Sequence, residues 1–277
     1  MTLSLATPTV GARLRHFAAL AASTLVAVSP VLASPPAAPQ AATGTIKGRL
    51  VWAAGAVPKP RVLVQKDDPK VKDAICKTQE IDSKELVVDP ETKGIANAYA
   101  YVLTPAAGFP ASEKAAVEAA EKALLAKTPA VVVDQVNCEY VPYATVVYKE
   151  QKLTFKSSDP VGHNVDFKPF SNTAINPMLP ANGSYPYPIK KAERRPTKAV
   201  CSIHPWMEGW VFITDNPYTV VTKADGSFEI KDVPAGTQHV IVWQSLKGFV
   251  TTGGNKGQEV TVKAGETVDL GEVKITK

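Results

Sequence analysis

From residue 44 onward the chain breaks into short stretches of alternating apolar and polar residues. Each stretch is cut off by Gly, Pro or Asp, a pattern that constrains the fold to β-sheet. In Thr45–Trp52, Ile46, Leu50 and Trp52 share one face, with Gly48 between them. Ala96–Leu103 reads the same way, and Ala144–Tyr148 and Leu153–Phe155 flank a charged turn at Lys149–Lys152. A strand is expected over Trp210–Thr214. Asp225-Gly226 signals a hairpin between Val220-Val221 and Phe228–Ile230. Pro234-Ala235-Gly236 turns into Val240–Trp243, and Ala264-Gly265 separates Glu259–Lys263 from Val268–Ile275. One short helix is expected near 112–127, with Ser112 as its N-cap and Val117, Ala120 and Leu124 as its stripe. The expected class is all-β, an antiparallel sandwich.

The two ends of the chain read differently. Arg13 and Arg15 precede the apolar run Phe17–Val28, which is too short to span a bilayer, and Val31-Leu32-Ala33 is a small-residue cleavage pattern. Residues 1–33 are therefore expected to be an export signal. Residues 34–43 are a Pro/Ala tether, and no other segment is apolar enough to cross a membrane. The formal charge of +5 falls to about +3 once the signal is gone, too weak a bias to recruit nucleic acid or anionic lipid. Export to a periplasmic or secreted location permits disulfides. Of three cysteines, Cys201 lies in a chemically loaded segment, so Cys76 with Cys138 is the natural pair; the alternative is three reduced thiols.

That loaded segment is Val200-Cys201-Ser202-Ile203-His204-Pro205-Trp206-Met207, with Gly162-His163-Asn164-Val165 upstream. A thiolate, two imidazoles and a distant thioether form the ligand set of a blue-copper site. Copper(I) favours soft, low-coordinate sites and copper(II) favours nitrogen, so a rigid trigonal compromise lets an electron move with little rearrangement. Zinc is the rival metal, but Met is a poor zinc ligand. A nucleophilic Cys201–His204 pair lacks an evident orienting residue.

Val136–Pro217 resembles the cupredoxin family of small blue copper proteins, on Cys138-Glu139-Tyr140-Val141-Pro142-Tyr143, Leu153–Asp159, His163-Asn164-Val165 and the Cys201-x-x-His204-x-x-Met207 loop. That loop, with Pro after the His, is most similar to the amicyanin type. The resemblance implies a Greek-key sandwich holding one type 1 copper, with His163, Cys201 and His204 as strong ligands and Met207 as the weak axial one. It implies that Asn164 braces Ser202, and that His204 presents an open imidazole edge for electrons, rimmed by Pro205 and Trp206. The chain departs from the family in the Lys149–Lys152 turn, in the long Pro-rich loop before Cys201, and in the bulk of Trp206. Lys190, Lys191, Arg194, Arg195 and Lys198 in that loop are either a solvated surface or a docking patch for an acidic redox partner.

Gly44–Leu50 and Val221–Thr237 resemble a second family, the carboxypeptidase regulatory-like (transthyretin-like) β-sandwich. The expectation is a split sandwich over 44–127 and 218–277, with a cupredoxin domain over 128–217 inserted in it. The expected role is single-electron transfer with a redox partner protein, not catalysis. The alternatives are periplasmic copper binding and delivery, or a secreted structural module with a vestigial site.

Overall fold

The computed structural model describes residues 42–276. The expected signal lies outside the described residues, as does the tether except for its last two residues, of which Thr43 opens the first strand. Among the described residues no helix is long and apolar enough to cross a membrane.

The fold is all-β with one α-helix and is built around two apolar cores. Strands from both ends of the chain form the terminal sandwich. Thr43–Trp52 lies between Ser227–Pro234 and Thr267–Ile275 in one sheet. Facing it, Tyr99–Val102 lies between Thr219–Val221 and Gly236–Gln244, which also pairs with Gln258–Val262. Ile46, Leu50, Phe228 and Ile230 from the first sheet meet Ala100, Val102, Val240 and Val242 from the second. The alternation read from the sequence positions Ile46 and Leu50, both fully buried, in this core.

The central sandwich pairs the sheet of Ala130–Val136, Glu139–Val141, Lys152–Ser157 and Ser184–Tyr187 with that of Ala144–Tyr148, Asp166–Phe167, Thr197–Val200 and Glu208–Thr214. Its core holds Val133, Leu153, Phe155 and Tyr187 against Val147, Phe167, Ala199 and Ile213. Val64, Val71, Cys76 and Ile81 belong to this same core, although they precede the terminal strand Tyr99–Val102 in the chain.

Tyr99–Val102 is buried on both faces. Ala100 and Val102 point into the terminal core, while Tyr99 and Tyr101 join Tyr143, Ala144, Phe212, Ile241 and Trp243 in a third cluster between the sandwiches. Tyr99 Oη donates to Trp210 O at 2.8 Å and accepts from Thr145 N at 3.0 Å. A strand apolar on both faces is what such a sandwiched position requires.

Three expectations need correction. The sheets are mixed: Thr43–Trp52 runs parallel to Thr267–Ile275, Ala130–Val136 to Lys152–Ser157, and Ala144–Tyr148 to Glu208–Thr214. A strand that returns to its sheet after a passage through the facing one can re-enter parallel. For the same reason Asp225-Gly226 is a corner rather than a hairpin. Thr219–Val221 pairs with Tyr99–Val102, whereas Ser227–Pro234 pairs with Thr43–Trp52. Gly226 takes φ +78°, and Gly94 packs so closely on the corner that a Cβ there would lie 1.9 Å from Asp225 O. Lys149–Lys152 likewise links strands in facing sheets. Finally, the helix spans Ala111–Lys127 and is capped at Pro110, with Ser112 inside its first turn. The Pro110 carbonyl accepts from Glu113 N, and proline's fixed φ presets the helix start.

Candidate metal centre

The Cys201–Met207 loop joins the paired strands Thr197–Val200 and Glu208–Thr214. Cys201 N donates to Met207 O at 3.1 Å and Met207 N donates to His204 O at 2.9 Å, which closes the loop into a tight turn. Cys201, His204 and Met207 are all buried within it. His163 arrives from the short strand His163-Asn164, whose partner is Met178-Leu179.

Three donor atoms converge. His163 Nδ1 and His204 Nδ1 lie 2.9 Å apart, and Cys201 Sγ lies 4.0 Å from the first and 3.9 Å from the second. A point in the plane of these atoms is equidistant from all three at about 2.1 Å, inside the roughly 2.0–2.3 Å that imidazole and thiolate take to a first-row ion. The donor set therefore fits one small, borderline-soft ion without moving a residue. Met207 is 1% exposed and shares the central core with Cys201.

The second nitrogen of each imidazole is held from behind. His163 Nε2 faces Asp159 Oδ2 at 2.9 Å, and His204 Nε2 faces Asp73 Oδ2 at 2.8 Å. A carboxylate on Nε2 keeps the proton there and leaves the Nδ1 lone pair for the centre. Asn164 links the two ligand segments: its Oδ1 accepts from Ser202 N at 2.7 Å and lies 3.3 Å from Cys201 Sγ, while its Nδ2 donates to Asn176 Oδ1. Tyr140 Oη donates to Val200 O at 3.1 Å, and Gln135 Nε2 donates to Asn164 O at 3.1 Å.

The electrostatics follow from these contacts. Burial pushes the Cys201 thiol up, but hydrogen bonds from His163 and His204 outweigh it and bring it down to about 5. Burial pushes the His163 imidazolium down, yet Asp159 and the Cys201 thiolate outweigh that and raise it to about 9. His204 is raised by Cys201 and Asp73 against the same burial. These contacts favour the Cys201 thiolate over the thiol, and the thiolate is the form a metal needs.

Cys76 and Cys138 form a disulfide, and Cys201 is the buried free thiol. Pro205 is exposed, whereas Trp206 is half-buried with its ring 5.2 Å from that of His204 and its Nε1 donating to Cys138 O at 3.2 Å. The open imidazole edge is not found. His204 is 3% exposed because Asp73 and the disulfide-linked stretch around it lie over Nε2. Lys190, Lys191, Arg194 and Arg195 are exposed on the loop that enters Thr197–Val200. Buried Glu193 organises this loop by accepting from the backbone N–H groups of Phe170 and Ser171, and Arg195 lies 4.3 Å over the Phe170 ring. Lys198 pairs with Glu208 at 2.8 Å.

Sequence reasoning missed Asp73 and Asp159 as supports. Asp159 precedes His163 by four residues, a readable spacing; Asp73 is 131 residues from His204 and carries no local signal.

No family model matches the chain, and no curated protein does either. Among solved structures the chain is similar to a reduced amicyanin variant, with 25% identity over 31% of this chain and 83% of that one, at a TM-score of 0.28. A Cu(I) amicyanin variant at pH 4 gives 26% identity over 31% and 82%, with the same TM-score of 0.28. A Cu-containing nitrite reductase from Thermus scotoductus SA-01 gives 19% identity over 30% and 22%, again at 0.28.

Proposed function

We propose that the protein is an exported type 1 copper protein that carries single electrons, with the ion held by His163, Cys201, His204 and Met207. The observation that carries this reading is the convergence of two imidazole Nδ1 atoms and one thiolate on a single buried point. Bound copper supplies the Cu(II)/Cu(I) couple. The chain's part is to hold the donors still: Asp159 and Asp73 fix the imidazoles, and Asn164 fixes the loop to the neighbouring strand. Burial keeps water from adding ligands, so either oxidation state meets the same donors.

Delivery of copper to another protein needs donors that an acceptor can reach. Three buried donors and a covered His204 favour retention, and so favour the carrier over the delivery reading. The exposed basic loop 190–195 suits an acidic redox partner.

The test is a redox titration of mature, copper-loaded protein in the presence of a strong Cu(I) chelator. A carrier returns all its copper after repeated one-electron cycles. Transfer of the ion to the chelator within the first reduction contradicts the reading and supports delivery. For export, the protein recovered from the periplasm or medium starts at Ser34; a mature chain beginning at Met1 contradicts it.

A further inference from the structure

The supports of the two imidazoles meet at one disulfide. Asp159 Oδ2 accepts from His163 Nε2 and also from the backbone N–H of Cys138 at 2.8 Å. Asp73 stands three residues before Cys76, whose N–H donates to Asp73 O at 3.1 Å, while the Asp73 carboxylate takes His204 Nε2. The two disulfide sulfurs and a ring nitrogen of His204 lie within 4.8 Å of one another. The segment that carries Asp73 is firmly seated. Val64, Val71, Cys76 and Ile81 sink into the central core, and the cleft left between the segment and Trp206 and Met207 has a volume of only ≈ 20 Å³, room for about one water.

We propose that Asp73 is a positioning residue of the metal centre, delivered from outside the ligand-bearing strands by the disulfide-anchored segment 62–82, and that it closes the His204 edge to solvent. The inference deepens the copper reading and rests on it. Asp73 has two separable effects. As a hydrogen-bond acceptor it orients the imidazole and fixes its tautomer, which an asparagine carbonyl also does. As an anion it favours the more highly charged ion, and so disfavours reduction.

The experiment compares Asp73→Asn and Asp73→Ala with the unaltered mature chain, loaded with Cu(II). Both variants are expected to raise the reduction potential by at least the equivalent of a tenfold change in the Cu(I)/Cu(II) ratio, about 59 mV. Asp73→Asn keeps the copper hyperfine pattern, whereas Asp73→Ala alters it. In metal-free protein, His204 of Asp73→Ala reacts with diethyl pyrocarbonate at least tenfold faster than in the unaltered chain. Unchanged potentials, or an unchanged His204 modification rate, would overturn the proposal. If the unaltered chain shows no thiolate-to-copper band, the copper reading itself has failed, and the metal-free modification rates still decide whether Asp73 covers His204.

Discussion

The terminal and central sandwiches are built by the same device, short strands that cross between facing sheets at tight corners, but they use their buried polar groups differently. In the terminal sandwich these groups mainly serve the backbone. Gln244 Nε2 donates to Glu85 O, Thr222 Oγ1 to Ile95 O, and Asn216 Nδ2 to Val102 O. Each stops at a carbonyl that the sheets leave unpaired, which is the ordinary reason for a polar side chain to be buried. In the central sandwich, Asp159, His163, His204, Cys201 and Asn164 also bond to one another, and the two histidine Nδ1 atoms and the Cys201 sulfur converge on one place. Polar groups that bond among themselves and perturb one another's protonation mark a site.

Truncating each core should produce the largest effects. Phe155→Ala in the central core is expected to cost about 3–5 kcal/mol and to degrade metal binding with folding, whereas Leu50→Ala in the terminal core costs about 2–5 kcal/mol. Both side chains are fully buried. Denaturant melts of metal-free and loaded protein would read both effects. If Leu50→Ala abolishes the copper spectrum under folding conditions, the two cores do not divide the work as described.

Replacing both cysteines of the disulfide by serine opens a link across 62 residues, which the chain-entropy model values at about 4 kcal/mol. The loss should appear as a lower denaturant midpoint, together with faster modification of His204. An unchanged His204 rate would mean that the segment stays seated without its bond.

Asn164→Ala removes the acceptor of Ser202 N and the brace between the two ligand segments. The expected loss is about 1–3 kcal/mol in stability and about 10–100-fold in metal affinity. A competition titration against a chelator measures the second, and an unchanged affinity would make the brace purely structural. The smallest effect belongs to the exposed basic loop. Exchanging Lys190, Lys191 and Arg194 for alanine should shift stability by no more than about 0.5 kcal/mol for each change. The same exchange should flatten the salt dependence of electron transfer with an acidic partner, and an unaltered salt dependence would remove the loop from docking.

Particular elements show how much the sequence discloses. The alternation around Ile46 and Leu50 is a local property of one strand, so their burial could be read directly. Asp225-Gly226 disclosed a turn but not its destination, because turn chemistry depends on four residues while the choice of sheet depends on Thr43–Trp52, more than a hundred positions away. Cys201 and His204, two of the three residues whose donor atoms converge, could be singled out because they share one loop. Asp73 could not, since only the disulfide and the seating of Val64, Val71 and Ile81 bring it to His204. The burial of His204 followed from that same hidden contact, and it is why the edge expected to be open is covered.

The proposed copper site rests on Cys201 and the two histidines. Its most direct test is the visible and electron paramagnetic resonance spectrum of the mature protein loaded with one equivalent of Cu(II), beside Cys201→Ala. A copper ion held by these three side chains gives an intense thiolate-to-copper band with narrow hyperfine splitting that vanishes in the variant. A pale spectrum with wide splitting, the same in both proteins, would contradict it.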